Sequence, residues 1–245
     1  MSRRIMIGAA SVAAFVLVLV LSAPAAAQAP KPPAKPASPA PRLANGTPDL
    51  SGVWMGGGGV SERNLKPGDA IILLPEAKKL VDSRQLKDDP EAHCLPTGVP
   101  RMNPYPWRIV QSIDMKYVWI LFEGNIHSYR QIFLDGRPHP KDPDPTWYGH
   151  STGKWEGDTL VVDTVGYNDL FWFGANKLPH TTQLHTIERF TRTDLNTLSW
   201  DITITDPGSY AKPFTVQTRA RFEPTWELME YICQENNTNV GHITQ

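Results

Sequence analysis

The sequence predicts an all-β fold, an antiparallel up-and-down barrel with one short helix and long N-terminal loops. From residue 107 onward, apolar and polar residues alternate with a period of two in one short run after another, which is the pattern of half-buried strands. Turn sequences such as Asp135-Gly136 and Asp206-Pro207-Gly208 separate the runs. Short links between many strands favour a closed meander, because closure removes the exposed edges that an open sheet carries.

The folded domain is expected at residues 47–245, a length that fits one domain. The first strand is expected at 49–54, and the one helix at 74–81, where Pro75 occupies the first turn. Gly and Pro are frequent in the rest of 56–106, which predicts long loops. The other strands are expected at 107–113, 116–123, 127–134, 150–155, 159–167, 184–192, 198–205, 214–222 and 226–234.

The first 27 residues predict a secretory signal peptide. Arg3 and Arg4 precede an apolar run, and the alanines at 25–27 end it with a small-residue cleavage pattern. A transmembrane anchor is the alternative, but the apolar run is marginal for spanning a bilayer. Residues 28–46 are rich in Pro, Ala and Lys and predict a disordered linker. We therefore expect a periplasmic or secreted bacterial protein, with no stable membrane insertion after cleavage.

Charge and cysteine content narrow the partners and the compartment. The net charge is −1, and no basic stretch is interleaved with aromatic residues, which argues against nucleic acid as a partner. Cys94 and Cys233 are the two cysteines, and in an exported chain they are expected to form one disulfide bond. Two free thiols or a nucleophilic cysteine are the alternatives, and no cysteine motif supports the second of these.

The expected first strand carries Gly52-Val53-Trp54. A Gly-x-Trp at this position resembles the signature of the lipocalin and calycin families. The resemblance implies that Trp54 closes one end of the barrel beside an arginine from the last strands, for which Arg219 and Arg221 are the candidates. The alternative is that Trp54 is simply a core residue.

A longer resemblance covers nearly the whole mature chain. It is carried by 48–54, by 135–140, by 188–190 and above all by 149–164, where Gly-His-Ser is followed by Trp-Glu-Gly-Asp-Thr-Leu-Val-Val-Asp-Thr. These segments resemble a large family of exported bacterial proteins to which no reaction is attached. The resemblance implies export and a β-rich fold, and it brings no activity with it.

Histidines cluster in the middle of the chain and offer a candidate site: His127, His139, His150, His180 and His185. Histidine changes charge near neutral pH and is also the commonest metal ligand. In one hypothesis His150 and Asp163 are an acid–base pair, with the carboxylate fixing the tautomer and His180 as a third catalytic residue beside the same cavity. In another, several histidines bind zinc or copper, although strict ligand spacing is missing. In the third, they are structural.

Residues of the substrate-binding surface are expected around this cavity. Arg137 and Arg189 would bind an anionic group or a developing negative charge. A second set, of polar and aromatic side chains, would line the cavity: His139, His185, Trp155 and Trp172. We expect no cofactor and no bound metal in this hypothesis.

Charged residues within predicted strands raise a separate question. Glu188 and Arg189 are neighbours on one strand and must point to opposite faces, so one of them should face the interior, where a charge needs a partner. Arg130 and Glu123 raise the same question on earlier strands, and the alternative is that all are rim charges.

The leading functional expectation is that this exported barrel acts on a small apolar or aromatic molecule by acid–base chemistry. It would be a metal-independent lyase, isomerase or hydrolase with aromatic cavity walls drawn from its eight Trp, seven Tyr and eight Phe residues. A lipocalin-like carrier or sensor of a hydrophobic ligand is the first alternative. A histidine-based metal-binding protein is the second.

Overall fold

The computed structural model describes residues 38–101, 104–124, 128–233 and 235. Within them, nine strands and one α-helix form in the order expected from the sequence. Their bounds are β1 Gly52–Gly56, α1 Pro75–Ser83, β2 Trp107–Gln111, β3 Tyr117–Phe122, β4 Tyr129–Phe133, β5 His150–Glu156, β6 Thr159–Val165, β7 His185–Asp194, β8 Thr197–Thr205 and β9 Phe214–Phe222.

The nine strands form a closed barrel in chain order, with β1 paired to β9. The barrel is mixed, so the expectation of a purely antiparallel meander is wrong at one place: β4 and β5 are parallel, with Ile132 opposite Ser151. Residues 134–149 cause this difference, because they carry the chain back along the barrel before β5 begins. Parallel neighbours need such a crossover of a dozen or more residues.

Three long connections meet at the end of the barrel where β5 begins, and we call their described residues the cap: 57–101 with 104–106, 166–184 and 206–213. Backbone hydrogen bonds join them, from Val60 to Phe173 (3.4 Å) and from Leu74 to Ser209 (2.9 Å). The helix α1 belongs to the cap. Within the described residues, no helix has the length and apolar character needed to cross a bilayer.

Large aromatic side chains fill the barrel interior. Along β8, every second residue is buried, from Leu198 through Trp200 to Ile204, as the period of two predicts. The Trp200 ring lies between Phe190 (5.2 Å between centroids) and Trp107 (5.9 Å). The inward faces of neighbouring strands therefore form one packed aromatic core.

Trp54 is buried, as expected, but its arginine neighbour differs from the expectation. Its indole Nε1 donates to the Leu50 carbonyl at 2.9 Å, and the guanidinium of Arg192 on β7 lies 4.9 Å from its ring centroid. Arg219 and Arg221 are exposed. They flank the buried Ala220 on β9, so alternation turns both of them outward.

A charged pair lies inside the barrel. Arg130 on β4 and Glu188 on β7 form a two-pronged ion pair, with side chains 1% and 0% exposed. Arg130 also donates to Ser151 Oγ (3.0 Å) and Thr164 Oγ1 (2.8 Å), and Trp200 Nε1 donates to Glu188 (3.1 Å). The interior residue of the Glu188–Arg189 pair is thus Glu188, and Arg130 is its partner.

This pair is expensive to bury and depends on its hydrogen bonds. Burial lowers the pKa of the Arg130 guanidinium, but the Glu188 carboxylate acts in the opposite direction, and the net shift is upward. Glu123, the other charge expected on these strands, is buried and accepts the backbone N–H of Met229 at 2.9 Å.

The chain leaves the barrel after β9, and the expected strand at 226–234 is absent from the described residues. Because β9 already pairs with β1, the closed barrel has no free edge for another strand. Instead, the segment runs outside the barrel with Met229 70% exposed. It ends at the expected disulfide bond, which joins Cys233 to Cys94 in the cap.

The predicted signal peptide and most of the predicted linker, up to residue 37, lie outside the described residues. The described end of the linker contacts the barrel. Arg42 forms an ion pair with Asp158 in the turn between β5 and β6, at 2.6 Å, and Ser38 accepts the backbone N–H of Leu195 at 2.9 Å.

Candidate functional site

The candidate site lies on the outer face of the barrel, over β5, β6 and β7. Ser151 and Thr164 are the inward residues of β5 and β6, because both contact Arg130 in the interior. Their neighbours His150 and Asp163 must therefore point outward. The expectation that these two residues line an internal cavity is wrong.

Strand register places the site residues in two rows. His150 on β5 is paired with Val165 on β6. On the other side of β6, Thr164 is paired with Thr186 of the antiparallel β7, so the next residue of each strand places His185 beside Val165. The two histidines are thus separated by two strand spacings, about 10 Å. Asp163 lies in the next row, opposite Thr152.

A third histidine connects these rows. His139, from the crossover between β4 and β5, places its Nδ1 2.8 Å from Nδ1 of His150. Its Nε2 lies 3.2 Å from Oδ1 of Asp163, and the same oxygen is 2.8 Å from Nε2 of His185. The four side chains form one continuous chain of polar contacts, and Asp163 contacts His150 only through His139.

Local sequence holds the crossover in place. Gly136 adopts a positive φ of 79° in the Asp135-Gly136 turn, a conformation that suits glycine. Arg137 bonds back to Asp135 and lies 4.0 Å over the Phe133 ring. The same ring stacks on His150 at 5.2 Å. This turn therefore directs the chain toward His150 and brings His139 over β5 and β6.

A groove of about 470 Å³ adjoins this cluster. Phe133, Val161 and Ile187 provide its apolar surface, and Arg137 and Asp163 lie on its wall. At the far end, Glu156 is paired with Lys154 (2.9 Å) and with Arg189 (3.0 Å). The groove therefore combines an apolar surface with charged groups, and Asp163 on its wall contacts His139 and His185 of the cluster.

The site is open to solvent but not equally at each residue. The side chain of Asp163 is 43% exposed, that of His185 is 39% exposed and that of His139 is 22% exposed. Burial lowers the pKa of His150, and the neighbouring His139 and Arg137 lower it further. The lowered pKa favours the neutral ring of His150, which is the form that a general base needs.

Six of the nine predicted site residues come together. His139, His150, Asp163 and His185 form the cluster, while Arg137 and Arg189 line the groove. Their catalytic and binding roles remain predictions.

The other three residues lie elsewhere. His180 is buried in the cap, 3.8 Å from the Phe171 ring centroid, and burial lowers its pKa to about 4. Trp172 is buried in the cap under Arg84, and Trp155 packs against the barrel core. The expectation of one common cavity is therefore wrong for these three, because cap packing and strand alternation direct them away.

Two contributors to the site were missed from the sequence. Phe133 stacks on His150, and Thr152 Oγ1 lies 3.4 Å from His139 Nε2. Thr152 stands two residues from His150 on a strand, so alternation alone could have found it. Phe133 required knowledge that β4 and β5 are parallel neighbours.

The metal hypothesis concerns the same histidines. In the part of the chain that the structure describes, no group of three or more His, Cys, Asp or Glu side chains is arranged to hold a metal ion. His127, the fifth histidine of the predicted cluster, lies outside the described residues.

Compared with known proteins, the chain matches no family model, no curated protein and no solved structure. The resemblances to the lipocalins and to the exported bacterial family therefore stay hypotheses. The finding at this level is a closed nine-strand mixed barrel with one short helix.

Proposed function

We propose that this protein binds a small apolar or aromatic molecule in the outer groove and moves a proton on it by acid–base chemistry. The observation that carries the proposal is the polar chain His150–His139–Asp163–His185 beside a groove that has both apolar and charged lining residues. General bases at enzyme sites are most often histidines oriented by a second group.

The groove suits a ligand with one ring and one polar group. Phe133 and Ile187 offer apolar contact, and Arg137 lies close enough to His150 to lower the pKa of its imidazole. A cation beside the base can stabilise the negative charge that develops when a carbon or oxygen loses a proton. The reaction class is that of a lyase, an isomerase or a hydrolase without a metal.

The packed interior supports this outer site over a lipocalin-like carrier. In a carrier of that kind the ligand occupies the barrel, as an eight-stranded barrel can hold one small molecule. Here Trp54, Trp107 and Trp200 and the Arg130–Glu188 pair occupy the interior. A ligand that enters there must displace a hydrogen-bonded ion pair, which is costly.

The test is proton exchange on a panel of small aromatic ketones and aromatic esters. The protein is incubated with each compound in D₂O, and ¹H NMR follows loss of the C–H signal and ester cleavage. We expect turnover of at least one class, and His150→Ala should lower it by about 10²- to 10⁴-fold, the usual contribution of acid–base catalysis.

His93→Ala is the matched control. His93 lies in the cap, exposed, with its Nε2 2.8 Å from the Lys87 carbonyl oxygen, and it takes no part in the polar chain of His150, His139, Asp163 and His185. Turnover that survives His150→Ala, or a complete lack of exchange and cleavage across the panel, would argue against the proposal.

A further inference from the structure

The hydrogen-bond chain of the candidate site restricts where its protons can sit. The contact between His139 and His150 joins two ring nitrogens, Nδ1 to Nδ1, at 2.8 Å. Such a contact holds one proton: two lone pairs repel each other, and two N–H groups clash. One ring donates and the other accepts.

Asp163 decides which ring donates. An ionised carboxylate only accepts hydrogen bonds, so its contact of 3.2 Å requires a proton on Nε2 of His139. Thr152 Oγ1, at 3.4 Å, is the weaker neighbour of the same nitrogen. A neutral His139 with its proton on Nε2 has a lone pair on Nδ1. His150 must then carry its proton on Nδ1, and its Nε2 has the free lone pair.

We propose that His139 is a positioning residue that makes His150 a base through a two-step proton relay, an inference that rests on the proposed function. His150 Nε2 removes a proton from the substrate, whose bonding electron pair stays on the substrate. The Nδ1 proton of His150 then passes to Nδ1 of His139. His139 becomes an imidazolium held by Asp163, and the reverse transfer returns the proton to the product.

His185 has a different part in this arrangement. Its Nε2 donates to the same Asp163 oxygen at 2.8 Å, so it orients the carboxylate without joining the transfer between His139 and His150. In a neutral ring, its Nδ1 then carries the lone pair. The other charged groups around the cluster are Asp135, Arg137, Lys154, Glu156 and Arg189.

The test reads the tautomers directly and needs no substrate. Long-range ¹H–¹⁵N correlation spectra of the full mature chain at neutral pH distinguish a protonated from an unprotonated ring nitrogen. We expect His150 with a protonated Nδ1 and a free Nε2, and His139 and His185 with protonated Nε2. Exposed His93 serves as the internal reference for an imidazole outside the cluster.

Two variants separate the relay from general packing. Asp163→Ala removes the acceptor for His139, so His150 should lose its preference for a proton on Nδ1 and become a mixture of the two tautomers. His185→Ala removes the other partner of Asp163, and the His150 tautomer should stay unchanged. If Asp163→Ala fails to fold, the wild-type spectrum still decides.

A wild-type His150 protonated on Nε2 would overturn the relay, as would equal tautomer changes in the two variants. The proposed function fails separately. If the tautomers are as stated and no ketone or ester is turned over, the placement of the protons in the cluster stands and the proposed activity fails. If turnover depends on His150 while its Nε2 carries the proton, the activity stands without the relay.

Discussion

Replacing Arg130 with methionine should destabilise the barrel more than any change on its outer face. The guanidinium donates to Glu188 through both of its terminal nitrogens and also to Ser151 and Thr164. Methionine fills a similar volume but donates nothing. The variant therefore leaves a carboxylate that is 0% exposed without its counter-charge.

The expected loss is about 3–5 kcal/mol of unfolding free energy, the cost of removing one partner of a buried pair. Trp200 still donates to the carboxylate at 3.1 Å, and Ser151 and Thr164 still bond to each other at 3.0 Å, so the lower half of that range applies. For a domain of this size, each kcal/mol shifts Tm by about 2–4 °C, so a loss of about 3–4 kcal/mol gives a fall of roughly 6–16 °C.

The loss should also depend on pH. A buried carboxylate without a partner favours its neutral form, so the folded variant keeps a proton that the unfolded chain releases above about pH 4.3. A proton that binds only to the folded state stabilises that state at low pH, and this contribution to stability is lost as pH rises. The variant should therefore be further below wild type at pH 8 than at pH 5.

Urea unfolding followed by tryptophan fluorescence measures this, with the double variant Arg130→Met/Glu188→Gln as the matched comparison. The double variant removes both charges and keeps an acceptor for Trp200, so it should recover most of the loss. A single variant whose unfolding free energy lies within about 1 kcal/mol of wild type would refute the reasoning, because a loss that small is close to the effect of an ordinary surface substitution. A double variant no more stable than the single one would refute it as well.

Three further predictions concern the disulfide bond, the barrel core and the cap. Denatured, oxidised protein should show no free thiol, and two reactive thiols before reduction would contradict this. Reduction of Cys94–Cys233 should lower the unfolding free energy by about 5 kcal/mol in the chain-entropy model, because the bond closes a loop of 139 residues. Trp54→Ala should lower the unfolding free energy by about 3–5 kcal/mol in urea unfolding. A loss below about 1 kcal/mol would contradict the burial of Trp54 in the barrel core. Because burial lowers the pKa of His180 to about 4, stability should be lost as pH falls from about 6.5 toward 4. His180→Phe should flatten that dependence in melting curves, and an unchanged acid slope would assign it to other groups.

Most of the strand positions could be predicted because apolar alternation is strong where one face is buried. On β8, Trp200, Ile202 and Ile204 alternate with polar residues, and the structure buries these three. The direction of β5 could not be predicted, because the positions of the strands in the sequence do not determine the path of residues 134–149 between β4 and β5. The run at 226–234 resembles a strand locally, but a closed barrel offers it no edge.

The composition of the site was predictable to a larger extent than its position. Histidine, with seven residues in the chain, is rare enough to be noticed, and the short Glu156-Gly157-Asp158 link is consistent with the observed pairing of β5 with β6. Which face they occupy was hidden, because Trp155 is the one large apolar residue on β5 and Leu160, Val161 and Val162 are consecutive on β6. Alternation carries no signal in such runs. The buried Arg130 sets the inward face, and its partner Glu188 lies 58 residues away.

Locating the bound ligand shows whether the outer groove or the barrel interior is the binding site. We suggest titrating ¹⁵N-labelled protein with a library of small aromatic ketones, acids and esters, and following the histidine ring signals and the indole N–H signals together. The outer-groove account predicts shifts at His139, His150 and His185, with the indole signal of buried Trp200 unchanged. Shifts at Trp200 with the three histidines unaffected would place the ligand inside the barrel and contradict the account.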